Sequence, residues 1–115
     1  MKINPELLPE TTVTTTSDGW LRVEDDICIK WHKRGTDRRQ MTGASWGAYQ
    51  VSTKPADLTA DDKTFFYGGA FCGDGAMVCE LAPNNNWGIN LTRYWHYGST
   101  VTLSVNWFAN IIQYK

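Results

Sequence analysis

The sequence lacks any apolar run near the ~20 residues that a membrane-crossing helix requires, so no membrane insertion is expected. It also lacks a surplus of either charge: eleven Lys and Arg stand against twelve Asp and Glu, a formal net charge of -1. That balance supplies no bulk attraction to a polyanion and no one-sided tail, so no nucleic-acid partner is expected. Strong helix formers are scarce and never fall at helical spacing over three turns, which argues against helical and α/β folds. Three cysteines are an odd count, unsuited to a disulfide framework that pairs every thiol. Met1 to Pro5 holds one cation and no apolar core, so no secretory leader is expected and the sequon Asn90-Leu91-Thr92 is idle. There is no Gly-rich phosphate loop and no His-Glu-x-x-His helix. Gly43-Ala44-Ser45-Trp46-Gly47 has the ends of a nucleophile elbow but no strand-to-helix setting, and is read as a chance match.

What is present favours strands. Thirteen threonines, six tryptophans, five tyrosines and ten glycines are the residues of strands and of the turns between them. The best apolar patterns have period two. Ile27, Ile29 and Trp31 alternate with Cys28, Lys30 and His32; Val101, Leu103, Val105, Trp107 and Ala109 alternate with Thr102, Ser104, Asn106, Phe108 and Asn110. Successive side chains of a strand point to opposite faces, so each set buries one face and wets the other. Weaker alternation marks 46–51, 77–81 and 87–91. Turn chemistry at Ser17-Asp18-Gly19, Arg34-Gly35-Thr36-Asp37, Cys72-Gly73-Asp74-Gly75, Pro83 to Asn86 and Tyr97-Gly98-Ser99 divides these runs. The expected fold is all-β, a sandwich or barrel of short strands and not a parallel α/β sheet. Residues 54–62 read as its longest polar loop. Residues 1–17, with Pro5, Pro9 and a Thr-rich run, form a linker or edge segment ahead of one domain over 18–115.

Groups suited to catalysis or metal binding are few. His32 and His96 are candidate general bases by residue type, but each sits beside tryptophan and reads as a wet-face partner. Cys72 and Cys79 could meet across a Gly-Asp-Gly turn, as a disulfide or half a metal site; buried free thiols are the favoured state, because a second ligand pair is missing. Asp25-Asp26 and Asp61-Asp62 read as turn acids, since adjacent strand residues face opposite ways. Lys30, Lys33, Arg34, Arg38 and Arg39 form a basic cluster, offset by Asp25, Asp26 and Asp37, and are read as a solvated hairpin end. No catalytic group, metal or cofactor is expected.

Aromatic residues are more informative. Trp87, Tyr94, Trp95, Tyr97, Trp107 and Phe108 fall within 22 residues, more rings than one small sandwich buries on inward positions alone. Some therefore serve the surface, where rings stack on sugar faces or bury against a symmetry mate. Trp87, Tyr94, Trp95 and Tyr97 are the candidate stacking rings, with Asn84, Asn85, Asn86 and Arg93 as nearby hydrogen-bonding groups. Trp107 is assigned to the core or to a trimer axis.

The order of these features resembles a family. Asp18-Gly19-Trp20-Leu21-Arg22-Val23, then Ile27-Cys28-Ile29-Lys30-Trp31, resembles the opening of the C-terminal receptor-binding head domains of bacteriophage tail-fibre and baseplate proteins. Phe65-Phe66 through Met77-Val78-Cys79 sits where those domains place a Phe-rich and then a Val-rich strand. Arg93-Tyr94-Trp95, Gly98 and Val101 to Ala109 are similar to their closing strand and to that of H-type lectins. The likeness spans residues 18–114. It departs at Ala109-Asn110-Ile111-Ile112, where the family continues Ile-Gly after the Ala, at His32 in place of a Gly, and at Asp25-Asp26. No family binding residue carries over.

The resemblance implies a homotrimeric antiparallel β-sandwich, jelly-roll-like and non-enzymatic, that adsorbs to a bacterial surface polysaccharide or oligosaccharide. Its partners would be itself and tail or baseplate proteins, and it would reside in the phage virion or as a prophage product in the bacterial cytoplasm. Repetition of a weak glycan site about a symmetry axis raises avidity without new contacts. Two other readings stand beside it: a structural trimerisation or baseplate adaptor domain without sugar binding, and a glycan hydrolase using Asp61 or Asp74 with Glu80.

Overall fold

The computed structural model describes residues 10–41, 47–71, 77–82, 88–93 and 101–115. These form eight strands: β1 (Thr12–Thr15), β2 (Leu21–Glu24), β3 (Cys28–Met41), β4 (Gly47–Thr53), β5 (Thr64–Phe71), β6 (Met77–Ala82), β7 (Gly88–Arg93) and β8 (Val101–Tyr114). All pairings are antiparallel and make two sheets. Sheet A has the order β1-β2-β3-β8-β5, and sheet B has the order β4-β7-β6. The fold is all-β with two antiparallel sheets, as the period-two patterns predict.

β3 and β8 are the spine. They pair without a break from Cys28↔Tyr114 to Met41↔Val101. The inward side of this spine carries Ile29, Trp31, Val105, Trp107, Ala109 and Ile111, and the last five are buried. Ile89 and Leu91 of β7 and Cys79 of β6 face them from sheet B in one apolar cluster. Full burial of each such aliphatic or aromatic side chain contributes roughly 1.5–3 kcal/mol. Ile27, expected on the inward set, instead lies just ahead of β3 in the Asp25–Cys28 turn and is 58% exposed. The inward alternation begins at Ile29.

The segment Arg34-Gly35-Thr36-Asp37, expected as a turn, lies inside β3. Gly35 is opposite Trp107, and a Cβ there would meet the indole Cζ2 at 2.9 Å. Its small size makes room for a buried ring; the strand runs straight through. By contrast Ser17-Asp18-Gly19 is a turn. Gly19 has φ of 91°, a conformation that costs glycine little, and its N–H donates to the Thr16 carbonyl at 3.0 Å. The Thr16 hydroxyl bonds the Asp18 carboxylate, and Trp20 N–H donates back to Thr16 Oγ1 at 2.9 Å. That closed turn drops Trp20 fully into the core.

Two polar ties hold the sheets and loops in place. Lys33, on the inward side of β3, donates from Nζ to the Asp18 carbonyl and to Ser52 Oγ of β4, each at 2.9 Å, and lies over the Trp20 ring. The 54–62 loop is polar, as expected, but it inserts Pro55 and Leu58 into the interior. Asp57 in the same loop accepts from Trp31 Nε1 at 3.2 Å and from Arg22 Nε at 2.8 Å. β1, formed from the Thr-rich run, pairs with β2 as the edge of sheet A.

Candidate functional site

The side of sheet A turned away from the core should be polar in a solitary sandwich. Here it is not. Phe71 is 70% exposed, Tyr67 69% and Phe65 58%, and Phe108 and Tyr114 lie beside them on the same face. Period two explains the set. Phe65, Tyr67 and Phe71 alternate with inward Phe66 and Ala70 on β5, as Asn106, Phe108, Asn110 and Ile112 alternate with inward Trp107, Ala109 and Ile111 on β8.

Register places the outward residues in rows across β3, β8 and β5. One row is His32–Asn110–Tyr67, the next is Arg34–Phe108–Gly69, and the next is Thr36–Asn106–Phe71. Gly69 matters to this arrangement, because a Cβ there would meet Phe108 Cε1 at 2.7 Å. The Phe108 ring thus lies down over Gly69, tilted at 54° to Tyr67 with centroids 5.6 Å apart. Phe65 and Tyr114 make a second, edge-to-face pair at 6.0 Å. Such geometries suit the ring quadrupole and stiffen the face.

Two amides flank Phe108. His32 Nδ1 donates to Asn110 Oδ1 at 2.7 Å, and Thr36 Oγ1 donates to Asn106 Oδ1 at 2.8 Å. Each bond fixes its carboxamide and leaves the Nδ2 group to donate outward to a ligand. The surface is hollowed on both sides of the ring pair. A 490 Å³ hollow is lined by His32, Arg34, Phe71, Asn106 and Phe108, and a 350 Å³ hollow by Leu21, Val23, Lys30, His32, Tyr67 and Ile112. A concave surface of rings with a few fixed polar groups is the chemistry of a small-molecule or sugar subsite.

The residues expected from the sequence fall differently. Asn84, Asn85, Asn86, Trp87, Tyr94, Trp95 and Tyr97 lie outside the described residues, as do His96, Cys72 and Asp74. Arg93 ends β7, paired with Gly47 and Met77. Of the late ring cluster, Trp107 is buried in the core and Phe108 points to the opposite face, half-buried. Cys79 is a free, buried thiol, and burial, aided by the neighbouring Glu80 charge, pushes its pKa up to about 11.

The carboxylates serve turns and ties. Asp25 accepts from the N–H groups of Cys28 and Ile27, and Asp61 from the Lys63 N–H, which holds both below the ordinary aspartate range. Glu80 accepts from Thr92 Oγ1 at 3.2 Å. Among the described residues no three His, Cys, Asp or Glu side chains group as a metal site. Of the basic cluster, Lys33 is an inward tie, whereas Lys30, Arg34 and Arg38 stand on the outward side of β3.

Sequence reasoning missed Phe65, Tyr67, Phe71, Asn106 and Asn110 as one site. The outward set of β8 was legible from its alternation, but its neighbours on β5 and β3 are set by register between segments at least 35 residues apart in the chain. Comparison with protein-family models, with characterised proteins and with solved structures finds no match to this chain.

Proposed function

We propose that this chain is a non-enzymatic glycan-binding module, a receptor-binding head domain of the bacteriophage tail-fibre type, that takes a bacterial surface saccharide on the outward face of sheet A. The observation that carries this reading is Phe108 held flat between two oriented amides, Asn106 and Asn110, with Tyr67 and Phe71 beside it. A pyranose presents an apolar C–H face and a rim of hydroxyls, and that face and rim are what a ring flanked by fixed donors recognises. Asn84 to Trp87, Arg93, Tyr94, Trp95 and Tyr97 remain part of the proposal as a second group of contacts from the sequence.

The same face supports a structural reading at its edges. Val13 and Leu21 are exposed on the β1–β2 side and Phe65 and Tyr114 on the β8–β5 side, and apolar sheet edges of this kind bury well against other copies in a homotrimer. An adaptor without sugar binding would use those edges alone.

Binding to an array of purified bacterial polysaccharides tests the reading with wild type, Phe108→Ala and Trp95→Ala. Phe108→Ala should lose about tenfold in affinity, from the ring's stacking and buried area, while the melting transition survives. If Phe108→Ala and Tyr67→Ala both fold and both bind as wild type does, the site is misplaced. Sedimentation at micromolar concentration tests the trimer, and sugar release that depends on Asp61 or Glu80 would replace the binding module with a hydrolase.

A further inference from the structure

The outward face of sheet A holds no carboxylate among the described residues. The acids of its strands, Glu24 and Asp37, belong to the inward set by register. Lys30, Arg34 and Arg38 stand on that outward side at intervals of four residues, roughly 13 Å in an extended strand. No ion pair among the described residues engages any of the three. Asp25, at the end of the sheet, feels the Lys30 charge, but its Oδ1 is held by two backbone N–H groups of its own turn. With a formal charge of -1 over the whole chain, a face at +3 leaves -4 for the rest. A nearly neutral protein has therefore segregated cations beside its exposed rings.

We infer that the ligand of this face is an acidic glycan, one bearing a carboxylate or phosphate on its repeating unit; the inference rests on the glycan reading above. Arg34 is on the Phe108 row, so an anion forked by its guanidinium lies next to a sugar stacked on that ring. Lys30 and Arg38 would take the acids of neighbouring repeats, and the Asn106 and Asn110 amides the hydroxyls between them. The cation spacing separates this ligand from nucleic acid. A nucleic-acid strand carries a charge every ~3.4 Å of a helix, whereas these cations come every ~13 Å, and the remainder of the chain repels a dense polyanion. A polymer with acids on only some of its residues matches the face better.

The test uses the whole chain against immobilised bacterial polysaccharides grouped as uronate-bearing, phosphate-bearing and neutral, with a twelve-residue oligothymidylate alongside. The proteins are wild type, Arg34→Gln, and the triple variant Lys30→Gln/Arg34→Gln/Arg38→Gln, each checked for a native melting transition. Binding should be confined to acidic members and should weaken as salt is raised from 50 to about 200 mM, because the Debye length then falls below ~10 Å. Each removed cation should cost about two- to five-fold in affinity and flatten the salt dependence. Chemical reduction of the uronates in a bound polymer to neutral sugars should abolish binding, and loss only on phosphatase treatment would identify phosphate as the acid. Equal binding of neutral members by wild type and the triple variant overturns the acidic inference and leaves the glycan reading intact. Tighter binding of the oligothymidylate than of any saccharide overturns it in favour of nucleic acid, and silence across the array overturns both.

Discussion

Gly35→Ala should destabilise the protein, and Trp107 should be the reason. The added Cβ would sit 2.9 Å from Cζ2 and 3.0 Å from Cε2 and Nε1 of an indole that is itself buried. Those atoms belong to a rigid ring in a packed core, so relief requires the ring or the β3–β8 pair to move. Overpacking of this kind costs about 1–3 kcal/mol, and alanine returns roughly 0.5–1 kcal/mol because glycine is the poorer strand residue. The net expectation is about 1–2 kcal/mol, or a melting temperature lower by roughly 4–8 °C for a chain of this size. Trp107→Leu ends the side chain at the Cδ positions and so removes every atom that the new methyl would strike. In that background Gly35→Ala should become neutral or mildly stabilising. Thermal melts of the four proteins in this double-mutant cycle measure the coupling directly. An equal loss from Gly35→Ala in both backgrounds would falsify the close-approach argument and restore a turn role for Gly35.

Asp57→Ala should cost about 1–3 kcal/mol in urea denaturation, because it leaves the Nε1–H of buried Trp31 without its acceptor; Asp57→Asn, which keeps a carbonyl oxygen, should recover part of that loss. Stability should also fall on acidification. Asp18, Glu24, Asp25 and Asp61 all sit below their ordinary values, held there chiefly by the Thr16 hydroxyl, Lys115, the Cys28 N–H and the Lys63 N–H respectively. Depressed folded-state values mean that this stabilisation is present above about pH 4–5 and is lost as the pH falls through them. Melting temperatures from pH 6 to pH 3 should decline, and a flat profile would contradict the turn and tie roles assigned to these acids.

Period two in the chain was enough to read β8 and the first residues of β3, up to His32. Val105, Trp107 and Ala109 went inward and Asn106, Phe108 and Asn110 outward, because pleat geometry depends only on neighbours along the strand. The Ser17-Asp18-Gly19 turn was legible for the same local reason, a serine and an aspartate ahead of a glycine; the bonds that Thr16 adds to it were not. Gly35 was misread because glycine serves both turns and close approaches, and the ring that requires it is seventy-two positions away. Leu58 was missed because one apolar residue in a polar loop has no period.

The alternation of polar and apolar residues therefore decided by itself that the chain forms strands and that Trp107 and Phe108 turn to opposite faces. Tertiary structure alone decided which strands lie side by side, and with them that Arg34, Phe108, Asn106, Asn110, Tyr67 and Phe71 share one surface. Register is settled by cross-strand packing and backbone pairing between distant segments, and no local pattern carries that information.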